Sequence, residues 1–129
     1  MVHYPDSYKL GKQAEEKCLA IIQDYFKRDI VQEPDAYSKH DYSCEKYTYE
    51  LKTRTNRYSA YPTTMITANK LDDGRILLFN FTDGLWFIEY NKDKFSQYER
   101  RQFSRFGANW DEKEHVFIPI GDLTQIKKY

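Results

Sequence analysis

A chain with two cysteines, Cys18 and Cys44, and no CxxC spacing offers neither a disulfide framework nor a zinc knuckle. Both thiols read as small, buried, apolar residues. Five glycines and four prolines among 129 residues are too few for a low-complexity or collagen-like chain. Charge of one sign is not in excess either: twenty basic and twenty acidic residues give a formal net charge of zero. That balance excludes coating of nucleic acid by bulk electrostatics and confines any such partner to a local basic patch. The longest aliphatic run, Ile76 to Phe79, is far too short to span a bilayer, and MVHYPDSYKL lacks the apolar core of a signal peptide. The expectation is a soluble, intracellular protein with no membrane contact. There is no Gly-rich phosphate loop, and His3, His40 and His115 show no ligand spacing. His40 and Cys44, four residues apart on one strand, would stand about 13 Å apart, too far for a Cys-His nucleophile.

What the chain does have is aromatic weight, 17% of its residues with twelve Tyr and eight Phe, in a length that suits one globular domain spanning 1–129. LGKQAEEKCLAIIQDYF, Leu10 to Phe26, places Ala14, Cys18, Ile21, Ile22, Tyr25 and Phe26 at helical spacing and predicts an amphipathic helix packed on a sheet. A short strand follows within Asp29 to Asp35, stopped by Pro34. Pro62 and the threonines after it open a second, short helix that closes near Asp72-Asp73-Gly74. RILLFNFTDGLWFIEY reads as a hairpin turning on Asp83-Gly84 in a type I′ turn. Its strands are apolar at nearly every position, which predicts cover on both faces by helices. The segment after it, basic around Arg100, Arg101 and Arg105, is expected to be a long excursion, and His115 to Leu123 a last short strand marked by Pro119.

The chemistry concentrates in KHDYSCEKYTYELKTRT, Lys39 to Thr55. A two-residue turn at Glu45-Lys46 pairs Cys44 with Tyr47 and Tyr42 with Tyr49, and places Asp41 opposite Glu50. Opposed residues on one face have Cβ atoms roughly 4.5 to 5.5 Å apart, and Lys52 shares the face of Glu50. Two facing carboxylates repel on a plain sheet, whereas a hard divalent cation such as Mg²⁺ relieves them. The same alternation also suits a strand whose polar face is wet, so spacing leaves both readings open. On the helix, Glu15 borders the apolar stripe and can reach such a site or stay solvated, while Glu16 points further away.

Asp41 followed by Glu50-Leu51-Lys52 on the next strand, behind a helix carrying Glu15, resembles the PD-(D/E)XK nuclease superfamily, which has the restriction-endonuclease-like fold and includes Holliday-junction resolvases. The likeness covers about residues 10 to 82. It implies a mixed α/β core, a central mixed β-sheet flanked by helices in α-β-β-β-α-β order. It also implies a Mg²⁺-dependent nuclease, with Mn²⁺ as a substitute, that hydrolyses phosphodiester bonds in DNA. Carried over residue by residue, Asp41 and Glu50 bind the metal with the backbone carbonyl of Leu51, Lys52 orients or activates the attacking water, and Glu15 assists. Asp35, in the literal Pro34-Asp35, competes with Asp41 for the metal role. Lys52, Arg54 and Arg57, with Lys70 on the expected second helix, form a local patch for phosphates. Tyr58 and Tyr61 suit either packing or stacking on unpaired bases. Without a separate target-recognition domain, the expected enzyme is structure-selective, nicking or resolvase-like, works in recombination or repair on duplex, branched or single-stranded DNA, and is a homodimer. The rival is a catalytically inactive nucleic-acid- or protein-binding module that keeps the nuclease fold.

Overall fold

The computed structural model describes residues 6–33, 40–104 and 112–129. Helix α1 spans Asp6–Phe26 and buries Ala14, Cys18 and Ile22, spaced four apart on one stripe. It begins before the Leu10 expected from periodicity and ends where expected. Lys27 closes it in the left-handed conformation (φ 54°), donating its N–H to the Gln23 carbonyl at 3.0 Å.

The stripe rests on a six-stranded sheet of order β1-β2-β3-β5-β6-β9, built from β1 (Val31–Gln32), β2 (Tyr42–Ser43), β3 (Thr48–Thr53), β5 (Arg75–Phe81), β6 (Gly84–Glu89) and β9 (Thr124–Lys128). β1, β2 and β3 form an antiparallel meander, and β5 lies parallel to β3. The remaining pairs, β5 with β6 and β6 with β9, are antiparallel. A second, antiparallel sheet of order β4-β8-β7 is made of β4 (Thr63–Thr67), β8 (Glu112–Pro119) and β7 (Glu99–Ser104).

The period-2 alternation of β5 sorts the core into two halves. Ile76 and Leu78 join Tyr42, Tyr49, Leu51 and Leu85 under α1, whereas Leu77, Phe79 and Phe81 join Trp86 and Ile88 on the other face. That second face is covered by Ile66 of β4, Val116 and Ile118 of β8, and Phe95 from the short helix α2 (Lys92–Phe95). Each aliphatic side chain so buried contributes about 1.5–3 kcal/mol relative to its exposed state.

Several expectations change here. The apolar strands are covered on both faces, but one cover is a sheet and not a helical layer. The α-β-β-β-α-β order fails at its second helix: Thr63-Thr64-Met65-Ile66-Thr67 forms β4, with alternate residues Thr64 and Ile66 buried, and only 3₁₀ turns at Tyr58–Ala60 and Ala68–Lys70 flank it. β-Branched residues at period 2 outweighed Pro62 as a helix start. The basic excursion contributes strand β7, and the chain ends in β9, a strand with a polar, largely exposed sequence that its hydrophobicity does not announce. The hairpin of β5 and β6 stands, yet Phe81 pairs with Gly84 so that Thr82-Asp83 makes the turn, and among the described residues only Lys27 and Gly74 have positive φ. Gly84 answers a different need: a Cβ there would lie 2.5 Å from the Lys127 carbonyl oxygen of β9. Pro34 and Asp35 lie outside the described residues, as does Arg105.

A left-handed residue with a side chain is strained by about 1 kcal/mol, so Lys27→Gly is expected to raise stability by about 0.5–1 kcal/mol. Chemical denaturation reads this as a higher midpoint at unchanged slope; an unchanged or lower midpoint contradicts the assignment.

Candidate functional site

The turn at Glu45-Lys46 forms with the two-residue geometry expected: Cys44 donates its N–H to the Tyr47 carbonyl at 2.9 Å, and Tyr42 pairs with Tyr49. The ladder then stops. Asp41 donates its own N–H to the Tyr49 carbonyl at 2.9 Å, one residue out of step with the pairing, and the chain bends there in the manner of a bulge. Its carboxylate takes the place the next strand residue would have held, with Oδ2 accepting the Leu51 N–H at 2.7 Å. Asp41 is thus pinned beside Glu50 by its side chain as much as by its backbone.

Glu50 is withdrawn from bulk water. It is 5% exposed, which a wet polar face does not allow. The parallel pairing of β3 with β5 sets Glu50 beside Leu77 and Lys52 beside Phe79, on the face that the second sheet covers. Lys52 Nζ lies 3.3 Å and Lys70 Nζ 3.6 Å from Glu50 Oε1. Burial raises the Glu50 carboxyl above its ordinary range, the negative charge of Asp41 adds to the rise, and the two lysines offset part of it.

Glu15 completes the group from α1. Its carboxyl is also raised, first by burial and then by the charge of Asp41 and a hydrogen bond with it. Lys12 Nζ at 3.2 Å and Gln32 Nε2 at 3.3 Å hold its Oε2. The helix is fixed at this height by the fully buried Tyr42, whose hydroxyl donates to the Glu15 backbone carbonyl. Arg75, buried on β5, braces the other side: Nη1 donates to the Lys70 carbonyl at 2.9 Å and Nε to Thr48 Oγ1 at 2.9 Å, holding the turn that carries Lys70. Tyr42, Gln32 and Arg75 were not singled out in the sequence. Tyr42 was visible only as a core tyrosine, and nothing local marks Arg75 as a brace.

The structure therefore brings Glu15, Asp41, Glu50, Lys52 and Lys70 together, with Lys70 on a 3₁₀ turn and not on a helix. Arg54 is engaged elsewhere, donating Nε to Thr64 Oγ1 at 3.3 Å and Nη2 to the Met65 carbonyl, which ties β3 to β4. Arg57 is exposed, with Nε 3.7 Å from Asp83 Oδ2. Tyr58 packs, its ring stacked on Trp86 at 4.3 Å, while Tyr61 is exposed. Cys18 is buried as expected, and Cys44 is half-buried with its sulfur 3.6 Å from the Tyr49 hydroxyl.

Among the described residues, no group of three or more His, Cys, Asp or Glu side chains is arranged to hold a metal ion. What is present is a pair of neighbouring carboxylates, Asp41 and Glu50, with Glu15 behind Asp41. Hard oxygen donors in that number fit Mg²⁺, which takes one or two carboxylates and fills its octahedron with waters and substrate phosphates. Comparison with protein-family models, curated proteins and solved structures gave no match to this chain.

Because folding raises the Glu50 carboxyl above its ordinary value of 4.5, the folded state binds more protons than the unfolded chain as pH rises past that value. Stability from this group is then complete below the ordinary glutamate range and is lost as pH rises through the raised value. Glu50→Gln is expected to flatten that loss and to stabilise the neutral-pH protein by about 1 kcal/mol, the usual size when a functional side chain is relieved of its burden. Thermal melts of both proteins from the acidic range up to neutral pH check this; a variant less stable at every pH contradicts it.

Proposed function

We propose that this protein is a metal-dependent deoxyribonuclease of the PD-(D/E)XK type, using Mg²⁺ or Mn²⁺ to hydrolyse phosphodiester bonds in DNA. The observation that carries this reading is the buried Glu50 carboxylate set beside Asp41 and tethered to Lys52 and Lys70. Such a cluster is a poor device for stability, since desolvating charges costs several kcal/mol per ion. Carboxyls displaced from their ordinary range by burial and by a like charge mark functional sites.

Asp41 and Glu50 would hold the cation, and Leu51 offers its carbonyl from the edge of β3 where pairing with β2 has ended. What a divalent cation supplies when bound is charge neutralisation at the phosphoryl oxygens and a more acidic water. The rest falls to the chain. Lys52 presents a compact ammonium where negative charge builds up on the phosphate, and Lys70 adds a second from across the site. Glu15, whose carboxyl is raised by burial and by the charge of Asp41, backs Asp41 from α1. In the overall step, water's oxygen forms a bond to phosphorus, one ester P–O bond breaks, and the released oxygen takes a proton. The restriction-endonuclease-like fold belongs to the same proposal, with the sheet β4-β8-β7 standing where a second helical layer would be. So do a structure-selective or nicking action, a role in recombination or repair, and a homodimeric state.

Supercoiled, single-stranded and branched DNA incubated with the protein and Mg²⁺ or Mn²⁺ should be cleaved, and EDTA should stop it. Lys52→Ala and Asp41→Ala are each expected to lower the rate about 100-fold or more, the scale for losing one electrostatic contact to the transition state. Lys52→Arg should not rescue, because a broad planar fork replaces a point charge. Well-folded protein that cuts no substrate, or cleavage indifferent to both alanine variants, overturns the proposal.

A further inference from the structure

A groove of about 370 Å³ opens beside the site, lined among others by Arg54, Tyr58, Tyr61, Met65 and Phe117. Its size lies at the lower end of small-ligand sites, and no acidic residue lines it. Arg54 still bonds to β5, N–H to the Asn80 carbonyl at 2.8 Å, so it continues the alternation of β3 and falls on the Lys52 face. They stand two positions apart along the strand, about 7 Å, which is close to one nucleotide of an extended strand.

The walls are aromatic and already fixed. Tyr58 is held on three sides, by its stack on Trp86, by its hydroxyl on the Ile120 carbonyl at 2.8 Å, and by its N–H on Asp83 Oδ1 at 2.9 Å. Tyr61 is 63% exposed, the highest value among the large hydrophobic side chains described. Two arginines outside the lining neighbour lining residues, Arg57 next to Tyr58 in the chain and Arg101 through Phe117. Arg101 lies over the Phe117 ring at 4.9 Å, and the side chain of Arg57 is 76% exposed; their partners, Glu99 and Asp83, are themselves at the surface or partly so. Exposed aromatic faces between arginines, in a chain of zero net charge, match a ligand with a flat π-face and an anionic backbone.

We infer that this groove receives an unpaired base of single-stranded DNA, stacked on Tyr61, with its flanking phosphates on Arg57 and Arg101. Resting on the nuclease reading for its substrate, the inference makes the enzyme one that favours single strands and unpaired junction arms over continuous duplex. It also gives a purpose to the Arg-rich segment, which the catalytic cluster does not use.

The test is fluorescence anisotropy of labelled oligothymidylate, and of a blunt duplex of equal length, with the full chain in EDTA so that nothing is cut. The single strand should bind about tenfold more tightly than the duplex. Tyr61→Ala should weaken single-strand binding about tenfold, the scale of one base stack, while Tyr61→Phe keeps it. Circular dichroism establishes that the variants fold. Equal affinity for strand and duplex, or Tyr61→Ala binding like the unaltered protein, overturns the inference. Metal-dependent duplex cleavage without Tyr61-dependent binding removes this inference and leaves the nuclease proposal standing. Tyr61-dependent binding without cleavage of any DNA does the reverse.

Discussion

A carboxylate buried on the face of a sheet has to be answered, by a proton, by a cation or by both, and the site is arranged around that demand at Glu50. With 5% of its surface exposed, Glu50 is largely removed from bulk water. Lys52 and Lys70 answer part of the charge from 3.3 and 3.6 Å, while burial, with the negative charge of Asp41 added to it, keeps the carboxyl above its ordinary range. A pair of neutral apolar residues would fill this space at lower free energy. The arrangement makes physical sense when a further cation and a phosphate are the intended occupants, because both lysines are then already present to meet the phosphate.

The scaffold around Glu50 keeps the repelling groups from drifting apart. Asp41 is caught by the Leu51 N–H at the point where β2 leaves the ladder, and Tyr42, the next residue, anchors α1 through the Glu15 carbonyl. One bend in the chain therefore sets three carboxyls at once. On the opposite side, the buried Arg75 guanidinium fixes the turn bearing Lys70. These supports come from α1, from the β1–β3 meander and from the start of β5, so the site depends on one half of the larger sheet and little on β7 or β9.

Much of this was legible in the residues. The four-residue spacing of Ala14, Cys18 and Ile22 gives the helix and its buried side, and the tyrosine alternation gives the register from Cys44-Tyr47 to Tyr42-Tyr49. The approach of Asp41 to Glu50 follows from that register, but the bend that achieves it does not, because it depends on a side-chain acceptor substituting for a strand. The second layer was misread for a local reason: Pro62 with threonines suits a helix start, whereas the β-branched period-2 run Thr63–Thr67 forms a strand that pairs with β8. β9 was missed because an exposed edge strand such as Thr124–Lys128 has no apolar period to detect. Brace residues such as Arg75 gain their meaning from partners that only the fold presents, the Lys70 carbonyl five residues back across a turn and Thr48 on β3.

The central claim is that Asp41 and Glu50 form a divalent-cation site, and calorimetric titration of the full chain with Mn²⁺ in the absence of DNA tests it without relying on catalysis. The account predicts saturable binding of a single ion, abolished in Glu50→Gln and weakened in Asp41→Asn, with both variants folded. Absence of binding to the folded, unaltered protein, or binding undiminished in both variants, would contradict it.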